Sequence, residues 1–279
     1  MRVAMVQVAS AVAPAENRAR LGALDVPEAD LVVLPEAFAA DFGPPGSPVG
    51  DRAEPLDGPF VDALCARARD HGGTWVAGLF ERSPDPDRPF NTLVAVDAAG
   101  LRASYRKVHL YDSFGYRESD RLLAGDRTPT TLEVAGVTTG LMTCYDLRFP
   151  ELARELSRAG AGLLVVPSAW VAGPRKLHHW RTLVTARAVE NVSWVAAVGQ
   201  SGPRYTGHSL FVDPRGDVVA AAEEHDEVLV AELDDGLLAQ AREENPSLLN
   251  RRDTEPWQGP PATAGPVTPT APVAGAAQE

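Results

Sequence analysis

The chain has 279 residues, 44% of them hydrophobic, which is enough for one large domain with a substantial core. Its net charge of −12 argues against non-specific nucleic-acid binding, and an anionic substrate would need a local basic patch. Its two cysteines, Cys65 and Cys144, form no CxxC pair, and no segment approaches the roughly 20 apolar residues of a membrane span, so neither a disulfide framework, a zinc knuckle nor a membrane helix is expected.

Taken in order, Arg2 to Ala9 is nearly continuously apolar, as expected for a strand covered on both faces; Gln7 within it reads as a hydrogen-bonded buried amide. This start lacks a signal-peptide layout, and a cytoplasmic, reducing location is the expectation. Pro14 to Leu24 reads as a helix. Asp30 to Glu36 is a second buried strand that ends on a carboxylate, which is costly to bury unless paired or functional; the alternative is a loop glutamate. Gly43 to Gly50 is a Pro/Gly loop and Pro59 to His71 a helix, with Cys65 in its apolar pattern. Trp75 to Glu81, Thr92 to Val96 and Leu101 to Val108 read as strands, and the last carries Lys107, a residue type that on a strand usually meets solvent. Tyr111 to Gly125 is a long loop that holds Glu118.

Val137 to Met142 is an apolar strand, and Pro150 opens a helix, since proline tolerates the first helical turn. Cys144 therefore falls at or just past a strand end, ahead of a helix N-terminus. That placement favours a thiolate and can hold an oxyanion. The other reading is a buried, inert cysteine. Leu163 to Trp170 echoes Leu31 to Phe38, a short match that suggests two strand-helix halves. Pro174 to Val192 carries apolar residues at 177, 180, 184 and 188, a helical face. Ser193–Val198, Ser209–Val212, Asp217–Ala221 and Glu227–Leu233 read as strands and Asp235–Glu244 as a helix. Residues 259–279 are rich in Pro, Ala, Thr and Gly and read as a disordered tail behind a single domain over 1–258. The alternation gives an α/β class with stacked sheets. No GxGxxG, Walker loop or GxSxG elbow is present, and the six histidines show no metal spacing.

Three segments stand out together: Leu34-Pro35-Glu36-Ala37-Phe38, Tyr105-Arg106-Lys107-Val108-His109-Leu110, and Cys144-Tyr145-Asp146-Leu147-Arg148-Phe149-Pro150-Glu151-Leu152. In that order they resemble the carbon–nitrogen hydrolase (nitrilase) superfamily, with wording similar to its Nit group. The resemblance maps a Glu-Lys-Cys triad onto Glu36, Lys107 and Cys144, and a further active-site glutamate onto Glu118. It implies a four-layer α-β-β-α sandwich of two stacked mixed sheets, a homodimer or higher homo-oligomer, and neither metal nor organic cofactor. The implied activity is hydrolysis of a small amide, of the ω-amidase or deaminated-glutathione-amidase type, with N-carbamoyl hydrolysis, nitrile hydrolysis and a non-catalytic dimeric scaffold as alternatives.

In that frame Cys144 attacks the carbonyl, Glu36 moves the proton, and Lys107 with the Tyr145 N–H holds the oxyanion while lowering the thiol pKa. Trp170 and Phe42 are candidate pocket walls. Asp146, Arg148 and Glu151 read as structural ion pairs around the elbow. The segments Gly173–Trp180 and Gly199–Gly207 depart from the Nit pattern. Arg175, Lys176 and Arg204 in them are candidates for reading a substrate carboxylate, with Arg175 and Arg204 as the expected clamp.

Overall fold

The computed structural model describes residues 1–252. The expected disordered tail, and the boundary at 258, lie outside the described residues. In chain order the elements are β1 (Arg2–Gln7), α1 (Pro14–Ala23), β2 (Leu31–Val33), α2 (Pro59–His71), β3 (Thr74–Glu81), β4 (Phe90–Asp97), β5 (Gly100–Arg106), β6 (Asp112–Ser113), β7 (Tyr116–Arg117), β8 (Thr131–Val134) and β9 (Val137–Leu141). They continue with α3 (Pro150–Arg158), β10 (Leu163–Ser168), α4 (Lys176–Asn191), β11 (Trp194–Gly199), β12 (Leu210–Val212), β13 (Val218–Ala221), β14 (Glu227–Glu232) and α5 (Asp235–Glu244).

Two six-stranded mixed sheets result, ordered β14-β1-β2-β3-β4-β5 and β13-β12-β11-β10-β9-β8. Each has a parallel core, β1-β2-β3 in one and β9-β10-β11 in the other, extended by antiparallel strands at both sides. Apolar runs without polar alternation suit strands covered on both faces. In β1, Val3 and Met5 pack toward the second sheet, while Ala4 and Val6 pack under α1 and α2 with Leu21, Phe60 and Leu64. On the far side, Leu156 of α3 and Trp180, Val184 and Ala188 of α4 cover the second sheet. The layers are therefore helix, sheet, sheet, helix, as the resemblance implied.

Local chemistry sets the ends. Pro59 opens α2 at a position where no N–H is needed, and Gly72, with φ 86°, closes it. The structure adds three features to the sequence reading. Residues 131–134 form β8, paired to β9 across an Ala135-Gly136 turn. The expected loop over 111–125 contains the β6–β7 hairpin, with Phe114 and Gly115 at its tip. The helix expected from Pro174 begins instead at Lys176, because Arg175 takes a left-handed backbone with φ 60°.

Candidate active site

Glu36, Lys107, Glu118 and Cys144 converge where the two sheets meet, all buried, and all four line one cavity of about 1080 Å³. Each stands just past a regular element. Glu36 follows β2, and its neighbour Ala37 has φ 53°. Gly78 of β3 lets that bend sit close, because a Cβ there would lie 2.4 Å from the Ala37 nitrogen and 2.8 Å from the Glu36 Cα. Lys107 is the residue after β5. Its N–H donates to the Asn91 carbonyl at 2.8 Å, and its carbonyl accepts from Gly125 N–H at 2.8 Å. Cys144 is the first residue of a 3-10 turn, Cys144–Arg148, and α3 follows only at Pro150. With φ 47°, Cys144 carries backbone strain of about 1–2 kcal/mol. The first N–H groups of such a turn have no acceptor within it, which leaves the Cys144 and Tyr145 amides for an oxyanion.

One ammonium organises the charges. Lys107 Nζ donates to Glu36 Oε1 at 2.9 Å and to Glu118 Oε2 and Oε1 at 2.9 and 3.1 Å. One N–H directed at Glu36 and one shared by the Glu118 oxygens leave a third for substrate. Burial works against the Lys107 cation, but Glu118 and Glu36 outweigh it and hold the pKa well above its ordinary value. Glu118 is pushed up by burial, opposed by Lys107 and reinforced by Glu36. Tyr111 N–H donates to Glu118 Oε2 at 2.6 Å.

The thiol differs from the sequence expectation. Burial, followed by the Glu36 charge, raises the Cys144 pKa well above its ordinary value, and Lys107 offsets this only in part. Burial thus favours the protonated form of this thiol, which feels the neighbouring Glu36 carboxylate.

Residues with no motif of their own complete the site. Asn91 Nδ2 donates to Glu36 Oε1 at 2.7 Å. Ala169 N–H donates to Glu36 Oε2 at 2.6 Å, and Gln200 Nε2 to the Glu36 carbonyl at 2.9 Å. The only advance signals were polar amides inside or next to apolar strands. Asp146 keeps the structural role expected of it, with the His109 ring at 2.7 Å as its partner. It is fully buried and accepts from Thr143 N–H, Tyr105 OH, and the His109 N–H and ring, with no arginine partner. It ties the turn bearing Cys144 to the segment bearing Lys107.

Phe42, Tyr145 and Trp170 line the cavity, as does Arg204. The Arg204 charge is engaged by Asp41 at 2.7 Å, and Asp41 also accepts from Tyr205 OH at 2.5 Å. Burial first, and then the Asp41 charge, drive the Tyr205 hydroxyl pKa far upward. Arg175 is exposed and outside the cavity wall, whereas Lys176, next in sequence, is buried and on it. The expected Arg175/Arg204 clamp is therefore not assembled. One arginine faces solvent, and the other is already neutralised. Among the described residues no group of three His, Cys, Asp or Glu side chains is arranged to hold a metal ion.

The sequence profile of the carbon–nitrogen hydrolase family matches residues 2–243. The chain belongs to that family. The hydrolase is 41% identical over 229 residues to the deaminated glutathione amidase of Escherichia coli O157:H7, covering 82% of this chain and 87% of that one. It is 37% identical over 245 residues to the 2-oxoglutaramate amidase of Paenarthrobacter nicotinovorans, covering 81% and 80%. The crystal structure of the Xanthomonas campestris protein XC1258, a CN-hydrolase superfamily member with an arsenic adduct in its active site, superposes with a TM-score of 0.79 at 30% identity, over 90% of this chain and 97% of that one. The two-sheet sandwich is thus the nitrilase fold, and the hydrolase is an enzyme that breaks C–N bonds.

Proposed function

We propose that this hydrolase is an amidase that cleaves a small, carboxylate-bearing amide through a thioester on Cys144. The observation that carries the reading is the buried Lys107 ammonium held between Glu36 and Glu118 beside the buried Cys144 thiol. The names of the relatives, deaminated glutathione amidase and 2-oxoglutaramate amidase, support the substrate class.

The steps follow from the geometry. Cys144 Sγ bonds to the amide carbon while Glu36 takes the thiol proton. This makes the raised thiol pKa workable, because the thiolate need not exist before attack. The carbonyl oxygen becomes an oxyanion held by the third Lys107 N–H and the turn amide of Tyr145. In such a dry site one donor of this kind is worth about 10²–10³ in rate. The C–N bond breaks as Glu36 returns its proton to the leaving nitrogen, so a primary amide releases ammonia. Water then loses a proton to Glu36 and attacks the thioester, and the sulfur leaves and is reprotonated. Glu118 keeps Lys107 charged and in place throughout.

The mechanism needs a reduced thiol, which favours the cytoplasm. Assembly into a dimer or larger homo-oligomer is part of the reading, and Val189 of α4 with Val218 and Val219 of the edge strand β13 are exposed apolar side chains open to it. An ammonia-release screen over ω-amides, carbamoyl amino acids and nitriles, with a Cys144→Ala control, tests the function. Turnover of ω-amides with an acyl adduct on Cys144 by intact mass is the expected result. Turnover of only carbamoyl compounds or nitriles would replace the amidase reading with one of those.

A further inference from the structure

Among the described residues, three N–H groups hold the Glu36 carboxylate, and they divide unequally between its oxygens. Oε1 accepts from Asn91 Nδ2 at 2.7 Å and from Lys107 Nζ at 2.9 Å. Oε2 accepts from the Ala169 N–H at 2.6 Å. A carboxylate has about four acceptor sites, two on each oxygen. Both sites on Oε1 are therefore filled, and the one left is on Oε2.

Asn91 stands buried in β4, a largely apolar strand, where an amide is costly unless it is hydrogen-bonded. Its own bonding is lopsided. Nδ2 meets Glu36 Oε1 and, at 3.4 Å, Glu118 Oε1, while its Oδ1 is buried with no partner. A carboxylate only accepts, so the amide must turn its NH2 to the two glutamates and leave its oxygen over. Stability alone gives no reason for an amide here, since an apolar side chain of the same shape would bury no unpaired oxygen. The main chain fixes Asn91 relative to Lys107, whose N–H donates to the Asn91 carbonyl at 2.8 Å. Asn91 does not line the cavity, so it reaches Glu36 from the protein side and leaves the substrate side free.

We infer that Asn91 is a positioning residue that decides which oxygen of Glu36 carries the proton: by occupying Oε1 together with Lys107, it reserves Oε2 for exchange with Cys144. The inference rests on the amidase reading above, in which Glu36 is the base. As the bond from Cys144 Sγ to the amide carbon forms, the Sγ–H proton passes to Oε2 and the carbonyl π pair moves onto its oxygen. The same Oε2–H then gives the proton to the leaving nitrogen as the C–N bond breaks. Without Asn91 an acceptor site opens on Oε1, the carboxylate is free to turn about its last bond, and the accepting oxygen is no longer fixed. Proton transfer needs hydrogen-bond reach, and a displacement of about 1 Å costs about 10²-fold in rate.

The test uses Asn91→Leu, which keeps the size and removes both the donor and the unpaired oxygen. For an ω-amide, kcat should fall about 10- to 100-fold with KM within about twofold. Tm should stay within about 3 °C, because loss of the bond to Glu36 and relief of the orphaned oxygen offset each other. Asn91→Asp supplies the rescue and carries the comparison where the leucine does not fold. Its protonated form donates to Oε1 and its ionised form does not, so its activity relative to wild type should recover as pH falls, with no such recovery in Asn91→Leu. Wild-type kcat in Asn91→Leu, a KM raised as much as kcat is lowered, or no recovery in Asn91→Asp would overturn the inference. A second readout needs no turnover. Iodoacetamide alkylates Cys144 as iodide leaves and the thiol proton goes to Glu36, and peptide mass counts Cys65, the other free cysteine, separately. Alkylation of Cys144 should slow about tenfold in Asn91→Leu, and an unchanged rate would also overturn the inference. Failure of the wild type to release ammonia from any ω-amide would instead sink the amidase reading and leave the alkylation rates to judge Asn91.

Discussion

Asp146→Asn is the substitution that most directly probes how the site is held. Asp146 is fully buried, and each of its oxygens meets two donors. Oδ1 faces the His109 N–H at 3.1 Å and the His109 ring nitrogen at 2.7 Å; Oδ2 faces Tyr105 OH at 2.7 Å and Thr143 N–H at 2.9 Å. An asparagine keeps one acceptor oxygen and turns an NH2 toward the other pair. The less damaging orientation aims that NH2 at Tyr105, whose hydroxyl can rotate to accept, and orphans Thr143 N–H. A lost bond to a charged acceptor costs about 1–3 kcal/mol, and weakening of the remaining bonds adds to it, giving about 2–4 kcal/mol in all. For a chain of this size that is a fall of roughly 4–16 °C in Tm. Thr143 precedes Cys144 and His109 follows Lys107 by two residues, so kcat should fall by more than the stability loss alone would cause at a temperature where the variant stays folded. Urea melts and turnover on the same preparation measure both. A loss below about 1 kcal/mol with kcat unchanged would refute the view that Asp146 ties the two catalytic segments together.

Three other outcomes follow from the same geometry. Cys144→Ala should fold and lose turnover, and Cys144→Gly should be more stable than Cys144→Ala by about 1 kcal/mol because φ 47° costs glycine nothing; equal melts would mean the turn is unstrained. Gly78→Ala should stay folded yet lose most activity, since its Cβ would push the Glu36 backbone away; wild-type kcat would show that the bend gives way. Glu36→Gln removes a charge that raises the Cys144 pKa, so thiolate absorbance should appear at lower pH than in the wild type even as turnover falls by about 10²- to 10⁴-fold. An upward shift of the titration would reverse the assigned cause.

What could be read beforehand, and what could not, has physical reasons. The limits of α2 and α5 coincide with the sequence reading, and Pro59 and Gly72 mark the first of these. The β8–β9 and β6–β7 hairpins were hidden because their turns place Ala135 (φ 46°) and Phe114 (φ 55°) where the usual signal is Asn or Asp before Gly. Glu36, Lys107 and Cys144 were legible as candidates because each sits in a run of ordered motif residues, and Glu118 only through the resemblance those runs carry. Asn91 and Gln200 act through side-chain amide hydrogen bonds across the fold, and a lone amide beside a strand carries no such pattern. Arg175 and Lys176 were indistinguishable as charges in sequence. The left-handed backbone at Arg175 and the helix start at Lys176 send one to solvent and the other to the cavity.

The echo between Leu31–Phe38 and Leu163–Trp170 explains why the site lies between the sheets. Its two strands, β2 and β10, hold equivalent places, each the middle strand of a parallel trio. Their exits meet, and the Ala169 amide from one exit donates to the Glu36 carboxylate from the other at 2.6 Å. Glu36, Asn91 and Lys107 belong to the first sheet's side of this meeting, and Cys144, Ala169 and Gln200 to the second's. Neither sheet alone therefore carries both Cys144 and Glu36. The hydrogen bonds joining Glu36 to Ala169 and Gln200 span 133 and 164 positions of chain, so their loop-closure cost is met only when the two sheets pack and bury their shared core. A buried carboxylate needs those partners to stay ionised at low cost, and they arrive only with that packing. The packing that folds the protein is then also the step that brings Glu36 to Cys144, so loosening the inter-sheet core at a distance should show first in Glu36 and in turnover.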